Sequence, residues 1–361
     1  MLFKQIILLC IKQLHNQRST SAIYHLLTGK RSIQTVQDAH LFGLDRFYGV
    51  FPSLSRQAFN QHIESYTKQG LLDKHITSNF DNYSLTKEGI THLSNIDKSV
   101  NYFNGLAFYK SDELFYKKIL LLTQVLTNQY KNNSSYIPII ENPKILFWMR
   151  KTYREIKGEL DKYLHFLYDD LYSLLKHLTS EEAEMFVDRL TSYKHYGLSI
   201  HQISKKYELS EEHTRLLLRA IVHKMLLLIK DNKVQTKLLS NIVDDLPRLN
   251  MLTNSARVTY NLLKKQHSVE QITSIRRLKI NTIYDHIIEI CWYDQQFPIE
   301  QYINNEQIAH VKRAIQMTQS LQLKTIKQFV TEELSYFQIR LALTRIKNVF
   351  AEGEFNHVSG N

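Results

Sequence analysis

The chain has 361 residues, 43% of them apolar, with only 10 Gly and 5 Pro and a formal net charge of +11. That length has room for two to four small domains, and the apolar content excludes a disordered chain. Two cysteines, Cys10 and Cys291, exclude a four-cysteine zinc site and are expected to be small buried hydrophobes rather than a disulfide.

Scarce helix breakers predict a mainly α-helical protein. At the start, Phe3, Ile6, Ile7, Cys10, Ile11 and Leu14 share one helical face, so the opening segment reads as a helix and not as a signal peptide. Residues 1–95 form a first unit. A helix containing Ile23, Leu26 and Leu27 stops at Gly29, a second covers Ser32–Leu44, and a third carries Ala58, Phe59, Ile63 and Tyr66 up to Gly70. Next, HITSNFDNYSLTKEG alternates around an Asn-Phe-Asp-Asn turn, predicting a β-hairpin whose second strand closes at Thr86 and Gly89. Three helices and a hairpin make a winged helix.

Residues 96–190 read as a helical spacer. It should hold a helix over Phe115–Tyr130, a loop at 131–143 and one long amphipathic helix over Lys144–His177. Its aromatics (Phe147, Trp148, Tyr153, Tyr163, Phe166, Tyr168 and Tyr172) are expected in the core rather than as a base-stacking platform. Thr179 and Glu182 form a capping box for the helix after it. Residues 191–250 hold a helix-turn-helix unit, with a hinge at Pro247, and residues 251–361 a second such unit followed by a helix near Gln307–Gln319. The final AEGEFNHVSGN should fray.

Those two units share one spacing. SIHQISKKYEL (199–209) and SVEQITSIRRL (268–278) both read Ser-apolar-x-Gln-Ile-Ser/Thr-x4-Leu. Ser199 with Gln202, and Ser268 with Gln271, are capping-box pairs; Ile203 and Ile272 would wedge the first helix onto the second. This is the pattern of a short capped helix, a tight turn and a second helix able to enter a DNA groove. In a chain of charge +11 it points to nucleic acid, because cations that neutralise phosphates release counterions.

In the C-terminal unit, Ile283 and Ile287 should point inward while Ile280, Asn281, Thr282, Tyr284 and Asp285 point out. Asn281 suits an adenine edge, Thr282 a thymine methyl or a phosphate, and Arg276, Arg277 and Lys279 the phosphate backbone. Exposed Ile280 and Asp285 are poor groove residues, so backbone-dominated binding is expected. In the middle unit Lys205, Lys206, Arg215, Arg219 and Lys224 are basic, but Glu211 and Glu212 at the head of its second helix oppose phosphates, and a scaffold role fits at least as well. The first unit offers Lys30, Arg31, Arg46 and Arg56, with Phe80 at the hairpin tip placed to stack on a terminal base pair and Tyr83 beside it expected to fold back.

Gly29-Lys30 is followed by Arg31 and lacks the preceding glycine of a P-loop, and no His-Glu-x-x-His pattern or nucleophile–base constellation occurs. A non-enzyme without cofactor is expected. No segment reaches the length of a bilayer span, so a cytoplasmic, nucleoid-associated protein is expected.

IYHLLTGKRSIQTVQDAHLFGLDRFYG, LSRQAFNQHIESYTKQGLL and YSLTKEG together resemble the winged-helix (RQC) domain of RecQ-family helicases, through Gly29, Tyr48-Gly49, Gly70-Leu71 and Leu85-Thr86 before Gly89. SVEQITSIRRLKINTIYDHI with SYFQIRLAL (335–343) resembles the helix-turn-helix domain at the C-terminus of some RecQ helicases and in the YpbB family, which the length and order of units also resemble. That family lies beside a RecQ-type helicase gene. The resemblance implies a DNA-binding auxiliary subunit of a RecQ-type helicase in repair or recombination, preferring forks or junctions, with Phe80 near the strand-parting tip. Two departures stand out: the RecQ zinc subdomain has no counterpart, and Thr273 replaces the usual Ala. A transcription regulator and a protein–protein adaptor are the alternatives.

Overall fold

The computed structural model describes residues 2–76, 81–246, 252–330 and 334–346. Phe80, Pro247 and the final segment 351–361 lie outside the described residues. Helices supply nearly all regular structure, and the one sheet among the described residues is a two-stranded hairpin.

The first helix, α1 (Leu2–Leu14), is buried on every side rather than along the single stripe expected. Leu2, Leu8 and Leu9 join Phe3, Ile6, Ile7 and Cys10 in the core. Its buried Gln5 is satisfied: the side-chain amide donates to the Asn95 carbonyl at 2.9 Å, and its oxygen accepts from the Asp97 amide at 3.1 Å. Then come α2 (Thr20–Thr28), α3 (Ile33–Leu41), α4 (Arg56–Lys68) and the antiparallel strands β1 (Leu72–Ile76) and β2 (Asp81–Leu85), with Leu72 opposite Leu85. This is the helix–helix–helix–hairpin order expected of a winged helix.

Two local expectations need correction. α3 ends at Leu41, short of Leu44, because the chain turns through a 3-10 segment at Asp45–Phe47 into the Tyr48-Gly49 corner. Thr86 does not close a strand; its hydroxyl caps α5 (Lys87–His92), accepting from the Gly89 amide at 3.0 Å. The corner explains two glycines. Gly29 and Gly49 have φ of +70° and +66°, and a Cβ on either would lie 2.5 Å from the Tyr109 ring. Only glycine combines that backbone with so close an approach. The Tyr109 hydroxyl completes the joint by donating to the Gly29 carbonyl at 3.0 Å.

After a 3-10 turn at Lys98–Tyr102 come α6 (Gly105–Phe108), α7 (Ser111–Tyr130), α8 (Pro143–Ile156), α9 (Leu160–Leu175) and α10 (Ser180–Val187). The predicted single helix over Lys144–His177 is thus two helices. They part at a 3-10 turn, Lys157–Glu159, built around Gly158, where a helix loses about 1 kcal/mol relative to alanine. The aromatic expectation also fails in part. Trp148, Tyr153, Tyr163 and Phe166 pack against the core, but Phe147, Tyr168 and Tyr172 are 70%, 66% and 62% exposed.

The remaining helices are α11 (Ile200–Lys206), α12 (Glu211–Lys230), α13 (Leu239–Asp244), α14 (Asn254–Lys264), α15 (Val269–Arg276), α16 (Ile280–Tyr293), α17 (Asn305–Thr318), α18 (Leu323–Phe329) and α19 (Tyr336–Leu343). α12 is the axis of the molecule, touching α1, α7, α9, α10, α11 and α13. Leu216, Leu218, Ala220, Ile221, Met225 and Leu226 are buried, so apolar contacts cover most of its surface, with Glu211, Arg215 and Lys230 left exposed. A buried ionic network fixes its position. The Asp112 carboxylate on α7 meets Arg219 at 3.0 Å and His223 at 3.2 Å, and Arg219 also donates to the carbonyls of Gly49 and Val50 at 3.0 and 2.8 Å. The other ring nitrogen of His223 accepts from the Asn104 amide at 3.0 Å, so the ring is neutral with its proton on Nε2 toward Asp112. Burial pushes the Asp112 pKa up, but the His223 hydrogen bond and the Arg219 charge win and hold it below the usual carboxylate range.

Removing one member of a buried ionic cluster leaves the others unpaired. Asp112→Ala is therefore expected to cost about 3 kcal/mol in urea unfolding at neutral pH. A loss below about 1 kcal/mol would show that the network does not fix α12.

Candidate nucleic-acid interface

The two helix-turn-helix units have the same local geometry. In each, the Ser hydroxyl accepts from the Gln amide at 3.2 Å and the Gln side chain accepts from the Ser amide, at 2.8 Å for Ser199 and 2.9 Å for Ser268. Ile203 and Ile272 are fully buried. The turn is made at equivalent residues: Glu208 and Arg277 adopt left-handed conformations, with φ of 53° and 51°. The next amides, Leu209 and Leu278, then reach back to the Ser204 and Thr273 carbonyls at 2.9 and 3.2 Å. That closure satisfies carbonyls left free at the helix end.

Their surroundings differ. In the middle unit the second helix is α12, the buried axis, and its acidic head is occupied. Glu212 pairs with His62 on α4 at 2.9 Å, and Glu211 meets Arg215 and His201, each at 3.2 Å. Arg219 is tied to Asp112, Lys206 to Asp188 at 2.6 Å, and Lys224 lies over the Tyr102 ring at 4.5 Å. Most of α12 is buried, and the part of its first turn that stays exposed carries Glu211 paired with Arg215, which does not suit a phosphate-lined groove.

In the C-terminal unit the head of the second helix is open. Arg277, Lys279, Ile280 and Asn281 are exposed, Thr282 is half-buried, and Ile283 and Ile287 are fully buried as expected. Arg277 and Lys279 form no ion pair among the described residues. The first turn of a recognition helix is the part that reaches base edges. Further along, α16 is held by its neighbours: Tyr284 stacks on Phe337 of α19 at 4.0 Å, and Asp285 pairs with Arg340 at 2.6 Å. Arg340 also donates to Gln37 of α3 at 3.2 Å, and His40 of α3 stacks on Trp292 at 4.7 Å. Tyr284 is thus part of an aromatic pair rather than a free outward side chain.

Arg276 differs from its neighbour. Its guanidinium donates to the Ser255 carbonyl at 2.7 Å, to the Ser255 hydroxyl at 2.9 Å, to Thr259, and to His286 Nδ1 at 3.3 Å. It ties α14 to α16, leaving Arg277 and Lys279 as the cations free at this turn. In the first unit Lys30 and Arg56 are exposed around His25, whose pKa is lowered by burial and then by these two charges. Arg56 also lies over the Tyr24 ring at 4.7 Å. Arg31 stands apart, on a cavity of about 230 Å³ where Tyr48 and Tyr109 meet His286, Glu289 and Trp292. Arg46 lies over Phe47 at 4.7 Å, and Tyr83 packs against the core. Sequence reasoning missed two further capping boxes, Asn304 with Gln307 and Ser335 with Gln338, although both repeat the Gln-Ile pattern of the paired units.

His286 is buried, with its Nδ1 facing the Arg276 guanidinium and the Thr259 hydroxyl. Burial first, and then the Arg276 charge, pull its pKa from 6.5 down to about 4. Unfolding therefore takes up a proton between those values, and stability falls as pH drops from 6.5 to about 4. His286→Gln, which keeps an acceptor for Arg276, should flatten the unfolding free energy against pH in that window by up to one proton, about 1.4 kcal/mol per pH unit. An unchanged slope would place the proton uptake elsewhere.

Comparison with known proteins bears on the same region. Residues 255–343, from α14 to the end of α19, match a family described as a helix-turn-helix domain. Over 346 residues the chain is 29% identical to Protein YpbB of Bacillus subtilis (strain 168), covering 95% of this chain and 97% of that one. No solved structure matches the chain. The C-terminal unit is a helix-turn-helix domain, and the similarity to Protein YpbB runs through every other unit as well.

Proposed function

We propose that this chain is a non-catalytic DNA-binding accessory of a RecQ-type helicase, acting at forks or junctions in repair or recombination. The observation that carries the DNA-binding part is the open head of α16. Arg277 in the turn and Lys279 at the helix start are exposed cations with no ion pair among the described residues, and Asn281 follows on the same open turn. Two point charges beside one polar side chain support phosphate contact with weak base discrimination. The helicase part rests on the resemblance of residues 1–95 to the RQC winged helix and of the C-terminal unit to the domain found in RecQ helicases. Helices α2 to α4 and the hairpin, with the Gly29–Gly49 joint, support the first of these.

A specific observation favours one other reading. Ile275 and Ile280 are exposed beside Lys279, and an apolar rim on a recognition helix suits a protein partner. An adaptor of this kind would show no DNA affinity even at low salt.

The discriminating experiment is a salt series on fork, duplex and single-stranded oligonucleotides, with and without the helicase. Arg277→Glu with Lys279→Glu is expected to weaken binding to all sequences alike and to lower the slope of log K against log salt by about 2, one for each phosphate contact. Wild-type protein should favour the fork and stimulate unwinding. Equal affinity for fork and duplex, with no stimulation, would remove the helicase role while leaving DNA binding intact.

A further inference from the structure

α8 presents a second cationic surface that the helix-turn-helix reading does not use. Its inner face, Ile145, Met149 and Ile156, is buried, and α7 is its principal helical neighbour. Its outer face carries Lys144, Phe147, Arg150, Lys151 and Arg154, all exposed. None of these cations forms an ion pair or hydrogen bond among the described residues; Glu155 is the only acid within the helix. Lys144, Lys151 and Arg154 stand at the i, i+7 and i+10 positions around Phe147, so one strip mixes charge with an aromatic ring. From Lys144 to Arg154 the strip runs about 15 Å, long enough to follow more than one phosphate of an extended strand.

A cavity opens on the flank of this strip. It measures about 190 Å³, below the ~300–1,000 Å³ of drug-sized sites, and is lined by Tyr136, Pro138, Met149 and Tyr153, with Arg150 shared between cavity and strip. The Tyr153 hydroxyl donates to Gln129 at 3.0 Å, which fixes one wall. Phe147, at 70% exposure, contributes little to the core, so its burial cannot explain its place.

We propose that the outer face of α8 is a single-stranded nucleic-acid site. Lys144, Lys151 and Arg154 follow the phosphates, Phe147 stacks on one unpaired base, and the Tyr136–Tyr153 cavity takes a second, with Arg150 at its lip. Charge complementarity selects a polyanion, and the aromatic elements select one whose bases are free, because every base has a face to stack and a duplex hides it. An anionic membrane is the weaker fit. Insertion needs a broad apolar face, and that of α8 is already packed on α7. The proposal rests on the reading that this chain binds DNA, and it assigns the single-stranded part of a fork to α8.

The test is fluorescence anisotropy of the full-length protein with labelled oligothymidylate, a duplex, and an abasic strand of equal length. Phe147→Ala is expected to lose about tenfold on oligothymidylate, less than twofold on duplex, and nothing on the abasic strand. Lys151→Glu with Arg154→Glu should weaken both single strands and reduce their salt dependence. Wild-type affinity of both variants for oligothymidylate, while Lys279→Glu still weakens duplex binding, overturns the α8 site and leaves the DNA reading standing. Wild-type protein that binds no DNA at low salt overturns both. Loss of binding to phosphatidylserine vesicles alone in the doubly reversed variant assigns the face to a membrane and overturns the proposal.

Discussion

The Asp112 carboxylate holds the Arg219 guanidinium and the neutral His223 ring of α12 at 3.0 and 3.2 Å inside the protein, and Arg219 extends the connection to the carbonyls of Gly49 and Val50. Four separate stretches of chain therefore meet at one carboxylate: the Gly49 corner, the Asn104 turn, α7 and α12. An unpaired charge in such a place costs several kcal/mol, so the cluster is satisfied as a whole or the helices move apart. The consequence is that α12 belongs to the interior. Its helix-turn-helix unit keeps the local form of a DNA reader while most of its second helix is buried.

This leaves the C-terminal unit to face outward, and its neighbours orient it. Stacking of His40 on Trp292, and the reach of Arg340 to both Asp285 and Gln37, dock the far end of α16 onto α3. At the near end Arg277, Lys279, Ile280 and Asn281 stay in solvent, while Leu278 packs against the core. One helix is thereby anchored at its tail and open at its head, the end that inserts when such a helix enters a groove. The N-terminal unit and the C-terminal unit are thus joined through contacts that leave the cationic turn free.

Much of this was legible because the controlling physics is local. A capping box needs residues three apart, so Ser199, Ser268 and Thr179 announced their helices; alternation announced the hairpin, although Asp81 and Asn82, expected in its turn, belong to β2 and pair with Ile76 and His75. Features set by distant chain were harder to read. Nothing near Arg276 says that Ser255 and His286 will claim its guanidinium while Arg277, one residue on, swings out through a left-handed turn. Other signals were present but not weighed. The apolar residues of α12 surround the helix rather than lining one face, which marks a buried helix, and the same holds for α1. Gly158 in an otherwise continuous pattern marked the break between α8 and α9. Phe147, flanked by Lys144 and Lys151, lies on the opposite side of α8 from Ile145 and Met149, so its helical phase already placed it in solvent.

Amide hydrogen exchange with and without a forked oligonucleotide separates the two helix-turn-helix turns most directly. Protection gained at residues 276–282, with none at 206–214, is the expected result for one outward-facing unit and one structural one. Protection at 206–214 with 276–282 unchanged would contradict the assignment of nucleic-acid contact to the C-terminal turn.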